Sequence, residues 1–287
     1  MAATAGVAVT AAFGAAARAV ATNAGLLNDP FAEPLVRAAG VDHLVHVIDD
    51  ARFAADDGGG PRFLEICAAH TRFVDEFLAA AGRAGLRQVV VLASGLDTRP
   101  YRLWWPPGTT VFEIDRPEVL DLKADVLRGL GADLRASRRA VGADLQQDWP
   151  AALRRVGFDA AAPTVWVAEQ LLIGYLTPAA QDRLLQAVTA MSAVDSRLAA
   201  DHLPTWTPLQ LEAERSFVDG WRRHGLDVDL ASLTHAGQYH YVPEYLAATG
   251  WATMQRNVTD LLGAVGLPDR PRGESEFVPE YLTATRV

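Results

Sequence analysis

A stripe through Phe63, Ile66, Cys67, His70, Phe73, Val74, Phe77 and Leu78 recurs at three- and four-residue spacing, which predicts an amphipathic helix over 62–81. The Asp56-to-Pro61 run ahead of it (DDGGGP) reads as a loop, and Gly82 or Gly85 as its C-cap. The first 84 residues read as helical throughout. From residue 87 the period changes. Gln88–Ala93 (QVVVLA), Thr109–Ile114 (TTVFEI), Pro163–Ala168 (PTVWVA) and, more weakly, Ser196–Ala200 (SRLAA) are short apolar runs bounded by turn residues. Such runs suit strands buried on both faces. Helical stretches lie between them near 117–130, 149–156 and 178–193, the last opened by Thr177 as N-cap and Pro178 at the first helical position.

Strands alternating with helices predict an α/β fold with a mostly parallel sheet, helices on both faces and right-handed crossovers. Trp251–Asn257 and Glu276–Arg286 read as two further strands around a helix at 258–265. Residues 201–245 show no dominant period and read as a lid insertion over the carboxyl edge of the sheet. The expected organisation is one domain: a helical cap (1–84), a ligand-binding core (85–200), the lid (201–245) and closing strands (246–287).

Composition narrows the function. Half of the 287 residues are hydrophobic and 21% are charged, which excludes a disordered chain. Lys+Arg 26 against Asp+Glu 35 gives a net charge of −9, so the basic surface that nucleic-acid binding needs is not expected. The single cysteine, Cys67, forms no internal disulfide. The histidines are scattered, and His43 and His46 lack a metalloprotease pattern, so no metal is expected. Residues 1–24 carry Arg18 as their only charge, without the basic start and leucine-rich centre of a signal peptide. A cytoplasmic protein without a membrane span is expected; the sequence leaves its oligomeric state open.

Open α/β sheets bind ligands beyond the carboxyl ends of their strands. At the end of the first strand, Gly95 permits a sharp turn and close approach of a ligand. Asp115, twenty residues on, ends the second strand, where a carboxylate can accept both hydroxyls of a ribose. The same residue could instead cap the helix begun by Pro117. A dinucleotide needs the Gly-x-Gly-x-x-Gly turn, whereas this turn has one glycine and places Asp97 where a phosphate would sit. S-adenosylmethionine, phosphate-free and cationic, fits better than NAD(P). The P-loop run is missing, and Leu92 before Ser94 excludes a nucleophile elbow.

The segments VLASGLDTR (91–99) and VFEIDRP (111–117) resemble the leucine carboxyl methyltransferase-like family, in particular its bacterial branch of S-adenosylmethionine-dependent O-methyltransferases. The likeness continues in NDPFAEP (28–34), HTRFVD (70–75), GADL (142–145), AEQLL (168–172) and YLTATR (281–286). It implies a class I, Rossmann-like methyltransferase fold and a small-molecule acceptor methylated on a carboxylate or hydroxyl. It further implies that Asp115 holds the ribose and that Asp144 and Leu145 bracket the adenine. Gly95 would line the methionine moiety, Arg72 clamp its carboxylate, and Glu169 lie close to the cofactor. Asp144 could also simply cap a turn, and the face Arg72 shares with Arg62, Glu65 and Glu76 could simply be solvated. Two positions depart from the family pattern: His70 stands where an arginine is usual, and Gln170 where glycine is common.

A carboxylate acceptor, ionised at neutral pH, needs no general base. A hydroxyl acceptor would need one, for which His202, after Asp201, is the first candidate, with His235 and His240 behind it. Trp206, Phe217, Trp221, Tyr239 and Tyr241 could line an acceptor pocket, although packing explains them as well. The competing functions are an NAD(P)-dependent oxidoreductase and a non-catalytic S-adenosylmethionine-binding module.

Overall fold

A computed structural model describes residues 2–50, 60–203, 234–235, 237–269 and 279–287. The chain begins with helices α1 (Ala2–Asn23), α2 (Ala32–Ala39), α3 (Asp42–Asp49) and α4 (Gly60–Arg83). The end of α4 follows from its glycines: Gly85 takes a left-handed φ of 95° and its N–H returns to Gly82 O at 3.2 Å. Strand β1 (Gln88–Leu92) comes next, then the single-turn α5 (Arg99–Arg102), β2 (Thr110–Asp115), α6 (Pro117–Gly129) and β3 (Ser137–Gly142). Helix α7 (Trp149–Arg155), β4 (Thr164–Leu172), α8 (Pro178–Ala190) and β5 (Arg197–His202) complete the parallel part. Helix α9 (Val242–Ala248), β6 (Trp251–Arg256), α10 (Val258–Ala264) and β7 (Glu280–Arg286) close the chain.

The seven strands order as β3-β2-β1-β4-β5-β7-β6. The first five are mutually parallel, and β7 runs antiparallel to both β5 and β6. Strand order reverses between β1 and β4, so a crevice opens at their carboxyl ends.

Alternation along the central strands explains why they read as unbroken apolar runs. Val90, Leu92, Trp166 and Ala168 enter one core with Phe112, Trp149 and Phe158, while Val89, Val91, Val165 and Val167 enter the other with residues of α4 and α10. Both faces are therefore covered. A third cluster joins α1, α2 and α3 and reaches Leu96, Tyr101 and Val119, seating the helical cap beside the crevice.

Strand β3 escapes the sequence pattern, and the reason is its position. It sits at the sheet edge and buries only Val141, so its residues (SRRAVG) had no need of an apolar run. Strand β4 is longer than the apolar run implies. Its register with β5 shifts between Ala168 and Leu172, which leaves Glu169 and Gln170 in a bulge at the crevice. Thr177 caps α8 by accepting from Ala180 N at 3.2 Å, as its sequence position predicts.

Most of the expected lid, including Trp206, Phe217 and Trp221, lies outside the described residues. Of its remaining aromatics, Tyr239 donates to Leu176 O and Tyr241 to Gln255 Oε1 and Glu280 Oε2. Among the described residues no helix is long and apolar enough to cross a membrane, and no group of histidine, cysteine or acidic side chains could hold a metal ion.

Candidate active site

A cleft of about 580 Å³ lies at the strand-order reversal. Its floor is the turn after β1, its sides are the ends of β2, β3 and β4, and α1 forms its cover. Ala11, Gly14, Ala15 and Arg18 all face it, because positions i, i+3, i+4 and i+7 share one side of a helix. Small residues let the helix approach closely. A Cβ added to Gly95 would lie 3.3 Å from Ala11 O, and the φ of 46° at Gly95 disfavours any other residue there.

Asp115 stands across from this turn. Its Oδ2 accepts from Gly95 N at 2.6 Å and its Oδ1 from Arg116 N at 2.7 Å. Burial raises its pKa above the ordinary carboxylate value, and the two backbone donors act against that rise. Each oxygen keeps lone-pair capacity for a further donor from the cleft. Asp115 does not cap α6; no side chain caps that helix.

After β3, Asp144 and Leu145 also line the cleft. Asp144 Oδ1 accepts from Gln146 N at 2.8 Å, which shapes the turn, while Asp148 performs the helix capping of α7. Glu169, on the β4 bulge, accepts from Arg99 Nη1 at 2.5 Å. The same nitrogen reaches Asp97 Oδ2, and Arg99 Nε reaches Asp75 Oδ1 at 2.7 Å. Although burial opposes it, the surrounding charge, Arg99 foremost, holds Glu169 down at about 2 and Asp97 far below the usual carboxylate range. Both remain ionised at neutral pH.

Gly95, Asp115, Asp144, Leu145 and Glu169 thus meet in one cleft. Arg72 and His202 do not. Arg72 donates through Nη2 to Leu26 O at 2.8 Å, tying α4 to the chain beyond α1 and outside the cleft lining. Helical geometry accounts for this: residues two apart point about 200° apart, and His70 takes the inward direction. His70 is buried against Tyr281 at 4.9 Å between ring centroids, with Nε2 3.9 Å from Asp201 Oδ1. Arg72, to which the resemblance gives the cofactor clamp, thus stands outside the cleft lining.

His202 ends β5 fully buried and outside the cleft lining. Among the described residues neither ring nitrogen has a hydrogen-bond partner, Nε2 lying 4.0 Å from Glu280 Oε2, and burial lowers its pKa. A base must reach the proton it takes, which this placement does not provide. Asp201 is buried behind Gln170, whose N–H it accepts at 2.6 Å. His240 is exposed on Asp182 at 3.0 Å, and exposed His235 borders the cleft.

Arg18 is the cleft residue that pattern reading passed over. It is buried, its Nε donates to Asp29 Oδ2 at 3.1 Å and its Nη2 to Leu96 O at 2.9 Å. Nη1 has no protein acceptor among the described residues. The available signal was a lone arginine at helical spacing from Ala11, Gly14 and Ala15 in an otherwise uncharged segment.

Comparison with known proteins agrees with this architecture. Residues 8–189 match the family model described as leucine carboxyl methyltransferase. A curated protein of Mycobacterium avium (strain 104), named "Putative S-adenosyl-L-methionine-dependent methyltransferase", is 70% identical over the whole of both chains. Among solved structures, a DUF574 family protein from Streptomyces avermitilis superposes with a TM-score of 0.55 at 14% identity, covering 94% of this chain and 97% of that one. A magnesium protoporphyrin IX methyltransferase from Synechocystis PCC 6803, solved with bound SAH, gives 0.50 at 13% identity, covering 86% and 94%. These two share the Rossmann-like fold of class I methyltransferases.

Proposed function

The chain belongs to the leucine carboxyl methyltransferase family and is an S-adenosylmethionine-dependent methyltransferase, and from that premise we propose that it methylates an oxygen of a small-molecule acceptor, a carboxylate before a hydroxyl. The observation that carries the cofactor's placement is the Asp115 carboxylate, held by Gly95 N and Arg116 N at the strand-order reversal and turned into the cleft. Its remaining lone pairs suit the two hydroxyls of a ribose. Asp144 and Leu145 take the adenine, the carboxylate receiving the exocyclic amine. The Gly95 turn, Glu169 and Arg18 surround the methionine end, and Arg18 replaces Arg72 as the clamp for its carboxylate. A guanidinium with one open nitrogen suits that task.

The bound cofactor supplies a methyl carbon on a sulfonium, activated for in-line displacement by an oxygen. The chain's contribution is to align the two reactants and shield them from water, with α1 closing one side. A carboxylate is favoured because the one imidazole lining the cleft among the described residues, His235, stands at its exposed rim. Glu169 and Asp97 are engaged by Arg99, and His202 is walled off. An acceptor already ionised at neutral pH dispenses with proton removal.

Binding measured by thermal shift tests the cofactor site, since a ligand selective for the folded state raises its melting temperature. S-adenosylmethionine and S-adenosylhomocysteine should stabilise the protein, and NAD(P) should not. Asp115→Ala should abolish the shift; a retained shift would reject the ribose role. Incubation with a panel of carboxylic and phenolic acceptors should yield methyl esters. Methyl ethers alone would overturn the carboxylate preference.

A further inference from the structure

A second cavity, of about 530 Å³, lies at the other end of the sheet from the cleft, against the amino ends of β1, β2 and β5. Its size is that of a small-molecule site. The charge of its lining is unusual. Arg87, Arg139 and Arg197 all border it, with Asp195 as the one carboxylate. None of the three arginines is ion-paired among the described residues. In a chain of net charge −9, three unpaired cations thus gather around one hollow. They repel one another, and an anion entering between them relieves that repulsion.

Two of the three are fixed in place. Arg87 Nη1 donates to Gly82 O at 2.8 Å and to Leu86 O at 3.0 Å. Arg139 Nη1 donates to Val156 O, and the guanidinium carbon stands 5.7 Å from the centroid of the Phe112 ring. Gly157 makes room for it: a Cβ there would collide with Arg139 Nη1. Main-chain carbonyls therefore hold one nitrogen of each guanidinium and leave Nε and Nη2 without a protein acceptor among the described residues. Arg197, partly buried on β5, makes no side-chain hydrogen bond among them. Donors held in position before a ligand arrives lose little freedom on binding it.

We propose that this cavity binds a small molecule bearing a chain of two or more phosphate groups, shared among the three guanidinium groups. The guanidinium fork matches the oxygens of a phosphate. In the strand order β3-β2-β1-β4-β5, Arg139 on β3, Arg87 just before β1 and Arg197 on β5 stand two strands apart in turn, about 10 Å at the usual strand spacing. A row of phosphates answers that spacing, whereas a single phosphate reaches fewer of the arginines. A hollow of this size in an acidic chain suits a small polyanion; a nucleic acid needs a basic stripe along the surface. The site is separate from the methyl-transfer cleft and does not rest on the cofactor placement, since the two lie at opposite ends of the same strands.

Calorimetric titration of the full chain with inorganic tripolyphosphate tests the assignment. One equivalent should bind, more tightly than orthophosphate, and with the same affinity whether or not S-adenosylhomocysteine is present. Arg139→Ala and Arg197→Ala should each weaken it about tenfold, the scale of a lost hydrogen bond between charged groups. Arg197 has no side-chain bond to lose, so Arg197→Ala should melt as the wild type does. Arg128→Ala removes an exposed arginine that pairs with Asp125 away from the cavity, and should leave the affinity within about twofold. Adenosine triphosphate separates the sources of the chain: tighter binding than tripolyphosphate assigns a nucleotide, weaker binding the inorganic polymer, and either supports the site. Absence of binding at millimolar tripolyphosphate would overturn the proposal, as would orthophosphate binding equally well. Equal weakening in all three variants, the mark of attraction to the whole surface, would do the same. So would displacement by S-adenosylhomocysteine, which would put the phosphates in the cleft.

Discussion

Ala93 shows how much of a binding site is decided within single residues. It ends the β1 run at the cleft floor, yet its φ is 49°, a conformation that costs an L-residue roughly 1–2 kcal/mol. Nothing in QVVVLA announces this, because alanine is permissible in a strand and the strain arises only where the chain turns under α1. Ala93→Gly should therefore stabilise the protein by about 0.5–1 kcal/mol, the strain relieved less the extra entropy of glycine in the unfolded chain. Urea denaturation measures it, and a loss of stability would show that the methyl group packs more favourably than its backbone is strained. Asp115 and Gly95 were legible because strand ends and turn glycines are visible locally. That Arg72 and His202 lie outside the cleft lining was not legible, because their directions are set by helix phase and by burial, which a motif does not carry.

Single elements are locked together by buried charge as well as by apolar packing. Glu113 on β2 accepts from Lys123 of α6 at 2.9 Å and is also bonded by Arg138 of β3, with Glu113 and Lys123 wholly buried. Lys123 is the only lysine in the chain, and its ammonium lies inside on this carboxylate. Glu113→Ala would leave two cations without their anion and should cost about 3–5 kcal/mol in chemical denaturation. A loss below about 1 kcal/mol, the scale of an exposed pair, would mean that water reaches the site. The Thr177 cap behaved as the sequence implied, and Asp148 and Asn257 likewise accept from a first-turn N–H. The edge strand β3 did not, since an element bearing one neighbour and little core has no periodic signature.

Across the whole molecule, stability depends on acid groups of opposite tendency. Glu169, held near 2 against an ordinary 4.5, and Asp97, held lower still, favour the folded state when ionised. Their contribution is complete above their unfolded pKa values and is lost as pH falls through roughly 4.5 toward 2. Burial raises Asp115 and Asp201, so protonation there favours folding and acts in the other direction at milder acidity. Stability should accordingly change little from pH 7 to 5 and then fall steeply. In Glu169→Gln the acid limb should be shallower, as denaturant midpoints measured between pH 6 and 3 would reveal; an identical limb would remove Glu169 from the account. At this scale the division between sequence and structure is clear. The order of strands and helices, the α/β class and the carboxyl-edge cleft follow from periodicity and turn residues, because those signals are local and repeat every few positions. Which arginine enters the cleft, which histidine is sealed off, and that Gln170 meets Gly14 depend on contacts between segments that are not neighbours in the sequence. Such meetings are products of packing, in which helix phase, a bulge and the absence of one Cβ together choose the neighbours.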